Sequence, residues 1–270
     1  MKNNFSIPAF AWLLLTSICV ILILIGLNAA LKKTGWEKRR QQKIFFATTV
    51  AILLWAALIL ILSYQGFLAD FSKIPPRPAL VMLLPLPIIM SIAFSKAGTQ
   101  LLRSVPTHWL IWMQSFRIFV ELLLLLAFIG GKIPMQMTLE GRNFDILTGI
   151  LALPTGYLLA KKKSFAVKFA IVFNIIGILL LLNILVIAVL SMPTPIRYFM
   201  NEPSNALVAQ FPFILLPGVL VPIAYTMHIF SLRQLLSKQS ILSSSVKDIS
   251  KNCKIENAAS RRAQSFRSSR

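Results

Sequence analysis

Charge is what this chain has least of. Charged residues make up 13% of its 270, against about 25% in an ordinary soluble domain. With apolar runs of about 20 residues, that deficit makes lipid the solvent for most side chains. Other absences narrow the chemistry. There are two cysteines, Cys19 inside the first apolar run and Cys253 near the C-terminus. They should lie in different phases, which excludes a disulfide. No Cys-x-x-Cys or His/Cys cluster exists, so no metal site is predicted. A bis-histidine haem would need both histidines, His108 and His228, and His108 sits at the rim of its span; no cofactor is expected. No apolar run contains the lysine that a pigment Schiff base needs. The Asp-Arg-Tyr and Asn-Pro-x-x-Tyr signatures of G-protein-coupled receptors are missing, and no internal repeat of the transporter kind is evident.

What is present is a series of seven apolar runs, at about 7–31, 44–63, 79–95, 109–130, 146–160, 169–190 and 211–232. They predict an all-α integral membrane bundle of seven transmembrane helices filling one domain, residues 1–236. The serine-rich basic tail, 237–270, lacks the apolar content to fold and is expected to be disordered. The net charge of +20 does not point to nucleic acid, because the basic residues lie in the connectors, where orientation signals belong. Placing the N-terminus outside puts twelve Lys and Arg on inner connectors against six on outer ones, the tail left aside. The positive-inside rule then sets the N-terminus outside and the C-terminus in the cytoplasm. The tail's basic residues, such as Lys247, Arg261 and Arg262, suit anionic lipids of the inner leaflet.

The fourth run carries the one intramembrane pair of charges, Arg117 and Glu121. A charge at the centre of a span costs about 2.5–3.5 kcal/mol on insertion scales, so such groups face the bundle interior and find partners. At 100° per residue Gln114, Arg117 and Glu121 fall within about 60° of one another, a single polar stripe. Two readings follow. Arg117 and Glu121 pair with each other at i,i+4, although Glu before Arg is the better order. Alternatively, Arg117 holds an anionic group while Glu121 accepts a proton or cation. By depth alone Asn174 and His228 lie in the same inner half, so Gln114, Arg117, Asn174 and His228, with Glu121 deeper, form a candidate ligand-binding pocket. Each Asn equally suits an interhelical hydrogen bond of about 1 kcal/mol, and His228 suits a satisfied interior imidazole.

The outer connector Glu140-Gly141-Arg142-Asn143-Phe144-Asp145 is dense in hydrogen-bonding groups. It reads as a solvated turn, with Asn143 as N-cap of the fifth span and Asp145 facing the helix's positive end, or as an outward recognition loop of Glu140, Arg142, Asn143 and Asp145. Prolines 85, 87 and 154 should bend the third and fifth spans. The Gln-x-x-Arg-x-x-x-Glu pattern of Gln114–Glu121, together with Glu140–Asp145, resembles a group of uncharacterised bacterial multi-pass membrane proteins. The resemblance covers spans four and five best. It implies a bacterial cytoplasmic membrane and transfers no activity.

The expectation is a membrane protein that binds or transports a small anionic or amphipathic ligand. A non-catalytic subunit or sensor docking a partner helix is the first alternative. A lipid-modifying enzyme with Glu121 or His228 as general base is the second, and the weaker because no nucleophile–base pair stands out.

Overall fold

The computed structural model describes residues 6–163 and 165–237, and no strand occurs among them. The expected tail, with Cys253, lies outside the described residues. The helices are α1 (Ser6–Lys32), α2 (Lys38–Tyr64), α3 (Arg77–Leu83), α4 (Pro85–Phe94), α5 (Lys96–Ser104), α6 (Thr107–Trp112), α7 (Phe116–Ile129), α8 (Ile146–Ala160) and α9 (Ala166–Leu190), and α10 (Leu216–Ser237). Six helical stretches are long and apolar enough to cross a membrane: α1, α2, α3 with α4, α6 through α7, α9 and α10. The apolar run at 146–160 is helical as expected but has 15 residues. At 1.5 Å per residue that is about 22 Å, short of a hydrocarbon core of about 30 Å.

Proline punctuation shapes the third stretch as anticipated. Pro85 stands at the first position of α4, where its missing N–H is harmless, and Leu84 joins α3 to α4 with its backbone still helical. Ahead of it, Arg77 pairs with Asp70 at 2.9 Å and lies over the Phe67 ring. The Ser72 hydroxyl and backbone N–H, with Arg77 behind them, hold the Asp70 carboxyl below its usual range.

The connector after α4 is more than a link. It forms the amphipathic helix α5, capped by the Ser95 hydroxyl accepting from the Gly98 N–H at 2.8 Å. Gln100 donates to the Thr34 carbonyl beyond α1. From α10, Arg233 donates to Thr99 and Gln234 to the carbonyls of Leu102 and Val105. This helix therefore ties the ends of α1 and α10 together.

Burial grades across the bundle. The apolar window of α10 is 67% buried and that of α2 only 6%. α10 opens with a π-helical turn, Leu216–Leu220, and the Trp55 indole of α2 donates to the Gly218 carbonyl within it at 2.7 Å. π-turns are rare and concentrate at functional positions.

Between α7 and α8 the backbone departs furthest from expectation. α7 stops at Gly130-Gly131, with Gly131 in the left-handed region (φ 63°). Its N–H bonds the Phe128 carbonyl and the Lys132 N–H bonds that of Ala127, a glycine-terminated helix end. The chain then turns back into the bundle, burying Ile133, Gln136, Met137, Thr138 and Asn143. By Asp145 it has returned to about the level of Glu121, eight residues before the end of α7, on the order of 12 Å deep. From there α8 runs antiparallel to the stretch through α6. A Cβ on Gly149 would meet Ile118 and Arg117, and one on Gly156 would meet the Trp112 ring. Irregular backbone at this depth is tolerated because protein, not lipid, surrounds it.

Candidate functional site

The returning segment exists to cover the polar stripe of α7. Arg117 Nη1 donates to Asp145 Oδ1 at 2.7 Å, and Arg117 is only 2% exposed. One turn further on, Glu121 Oε1 accepts from the Asn143 amide at 2.6 Å. Asn143, fully buried, organises the segment. Its Nδ2 also donates to the Met137 carbonyl at 3.0 Å, and its Oδ1 accepts from the Asp145 N–H at 3.1 Å. Those two backbone partners fix which end of the amide faces Glu121, since a carbonyl must meet the NH2 and an N–H must meet the oxygen. Two glycines permit the approach. Gly141 lies against the backbone of Met135 and Gln136, and Gly149 against α7.

These contacts revise several expectations. Arg117 and Glu121 take partners from the returning segment rather than pairing along their own helix. The outer connector is neither a solvated turn nor an outward loop at its functional end. Glu140 and Arg142 are exposed, but Asn143 and Asp145 are buried. Asn143 is not the N-cap of α8; Asp145 occupies that position and makes no side-chain cap bond. The physical reason is common to all three corrections. A buried guanidinium and carboxylate each need a hydrogen-bonding partner, and the polar groups of this connector are the nearest in sequence that can reach them.

The other expected pocket residues are buried but do not share one pocket. Gln114 donates to the Ala224 carbonyl at 3.1 Å. Asn174 Nδ2 donates to the Ala170 carbonyl at 2.7 Å and to Ser231 Oγ at 2.9 Å, leaving its Oδ1 to face His228 Nδ1 at 2.9 Å. By the same accounting His228 carries its proton on Nδ1 and turns the Nε2 lone pair toward Gly177. Asn174 and His228 thus make the expected interhelical bond, while His228 Nε2 is buried without a hydrogen-bond partner among the described residues. Asn183 donates to the Arg142 carbonyl at 2.9 Å, again between elements. Ser231, the third member of the Asn174–His228 cluster, had no signal in sequence beyond its place on an apolar run.

One wall of the cluster opens on a cavity. It has ≈ 60 Å³ for the centres of water-sized spheres, room for about four waters. Its polar residues are Glu121, Asn143 and Asp145, and the remainder of its lining is apolar, contributed by α3, α7, α9 and α10 with Met137, Met192 and Val208 from the connectors. Arg117, Gln114, Asn174 and His228 are not among the lining residues. Glu121 Oε2 is buried and has no hydrogen-bond partner among the described residues. The π-turn supplies Leu216 and Pro217 to the far wall. Among the described residues, no group of three or more His, Cys, Asp and Glu could hold a metal ion.

Fold and site together define an all-α protein in which helices long and apolar enough to cross a membrane surround a buried cluster of ionisable groups. The chain belongs to the family described as Domain of unknown function (DUF8737), whose model matches residues 74–236. The matched stretch runs from just before α3 to the end of α10 and takes in the whole cluster and cavity; α1 and α2 precede it. No curated protein and no solved structure matches the chain.

Proposed function

We propose that this chain is a cell-membrane protein that binds a small amphipathic molecule in the cavity between α3, α7, α9 and α10. A single observation carries the reading: a buried carboxyl oxygen, Glu121 Oε2, stands without a partner in a residue that lines a mostly apolar cavity. Ligand sites are mostly apolar with a few placed polar groups, and native proteins rarely leave a buried acceptor idle without reason. Arg117 takes a supporting role, its charge engaged by Asp145. The topology that goes with this reading has seven crossings, N-terminus outside and C-terminus inside. The fifth crossing is shared between the returning segment 131–145 and the short α8. The lysine and arginine bias supports the orientation, and the family resemblance favours a bacterial cytoplasmic membrane.

1-Hexanol tests the binding reading. A ligand that binds only the folded state raises the unfolding temperature, and Ala188→Leu, which narrows the cavity, removes that gain. If no chain-bearing probe stabilises the protein, or Ala188→Leu leaves the gain intact, the reading fails. Orientation is tested in a Cys19→Ala, Cys253→Ser background with an impermeant maleimide on intact cells. Glu140→Cys labels and Lys162→Cys does not; the reverse pattern overturns the assignment.

Transport is a second reading, favoured by one feature. The irregular segment before α8 and the π-turn of α10 both contribute to the cavity lining, and transporters place such non-α-helical backbone at their substrate sites. A docking role for the α7 stripe has less support, because a partner helix would have to displace segment 131–145 to reach it.

A further inference from the structure

The two carboxyls around the cavity are not equally partnered. The buried cluster contains one guanidinium, Arg117, and two carboxylates, Glu121 and Asp145. Arg117 points its Nη1 at Asp145; its Nε and Nη2 are buried without a partner among the described residues, and it does not line the cavity. Glu121 is left with one neutral donor, the Asn143 amide, on Oε1, and nothing on Oε2. His228, the remaining titratable group near the cluster, donates to Asn174 and does not line the cavity. No basic residue lines the cavity either. Every polar atom of the Asn143 side chain is engaged, its oxygen by a backbone N–H and its nitrogen by Glu121 and Met137. The lining therefore offers an incoming molecule the unpartnered Glu121 Oε2 and no basic group. The lining also includes Leu124, Leu181, Ile184, Leu185 and Val221, which suit an alkyl or aryl body. An anionic head would meet two carboxylates across an apolar gap, where charge repulsion is least screened.

We infer that the cavity selects amphipathic amines: a protonated amino head placed on Glu121 Oε2, with the apolar body between α7, α9 and α10. The inference rests on the cavity reading above and gives it a ligand class. An ammonium supplies the missing positive charge and up to three N–H donors, forming a charge-assisted hydrogen bond stronger than a neutral one. The amine comes either from a free small molecule or from the head of an amine-bearing phospholipid.

The test uses three probes of one chain length, hexylammonium, 1-hexanol and hexanoate, titrated against the detergent-solubilised full chain and read by the unfolding temperature. Hexylammonium should bind about tenfold or more tightly than hexanoate, with 1-hexanol between them. Glu121→Gln keeps an oxygen for Asn143, removes the charge and sets an NH2 where Oε2 stood. It should abolish the preference for the amine, so that hexylammonium no longer binds more tightly than 1-hexanol. Should hexanoate bind as well as hexylammonium, or Glu121→Gln preserve the ranking, the ligand class is wrong although the cavity reading survives. Binding of no probe, or binding insensitive to Ala188→Leu, overturns both. Nanodiscs of phosphatidylcholine with and without phosphatidylethanolamine separate the sources. Competition by phosphatidylethanolamine against hexylammonium supports a lipid head as the natural occupant, and absence of competition supports a free amine.

Discussion

α2 and the stretch through α6 and α7 are similar in length but live in different surroundings. α2 is the greasier, with a window mean hydropathy of 2.7 against 1.8, yet its window is 6% buried against 50%. In a soluble protein the more apolar helix would be the more buried. In lipid the hydrophobic drive between helices is lost, since acyl chains are as apolar as leucine, and packing follows small residues and polar groups instead. α2 has little to hide, and its two fully buried side chains are Ile59 and Ser63. α7 carries Arg117 and Glu121, and the chain folds a whole segment back to cover them. α10 extends the trend, with the lowest hydropathy, 1.3, and the greatest burial, 67%.

The comparison can be tested by substitutions on either side of it. The largest effect belongs to Arg117→Leu, which strands Asp145 as an unpaired buried carboxylate and should destabilise by about 3–5 kcal/mol in denaturant unfolding. Arg117→Leu with Asp145→Leu should recover much of that loss, because the penalty lies in the orphaned charge; an additive double mutant breaks the account. Asn143→Ala comes next, at about 2 kcal/mol, from lost hydrogen bonds to Glu121, the Met137 carbonyl and the Asp145 N–H. It should also raise proteolysis between residues 131 and 145, since the segment loses the side chain that holds it. On the α2 side, Trp55→Phe removes the bond to the Gly218 carbonyl and should cost about 1 kcal/mol, visible as a lower midpoint in detergent-titration unfolding. The smallest effect is expected for Leu54→Ala, a 66% exposed position, at under about 0.5 kcal/mol. A larger loss there would mean that α2 packs against a protein partner rather than lipid.

Much of the spanning pattern was legible from residue order. All seven apolar runs fall on helical stretches, and 146–160 matches α8 residue for residue. The stripe of Gln114, Arg117 and Glu121 was visible as a helical face, and all three are buried. The connector 140–145 was recognisable as rich in polar groups, but its direction was not. Nothing local distinguishes an outward turn from one that re-enters, because both need glycine and both carry Asn and Asp. Nor could depth alone separate the Asn174–His228 pair from the Arg117 cluster, since residues at one level of a bundle can face different neighbours. The cavity's apolar walls had no local signal, because Leu181 or Val221 reads like any other core or lipid-facing residue.

Residue order determined which stretches leave water, because apolar transfer is nearly additive along a run and needs no knowledge of neighbours. It also determined that Arg117 and Glu121 must be sheltered. Only the tertiary structure decided by whom. Arg117 meets Asp145 across 28 positions of chain, and that contact depends on the turn at Gly131, the depth of the return and the rotation of α8 together. Partner choice for a buried charge is thus a property of the whole packing, whereas the need for a partner belongs to the residue.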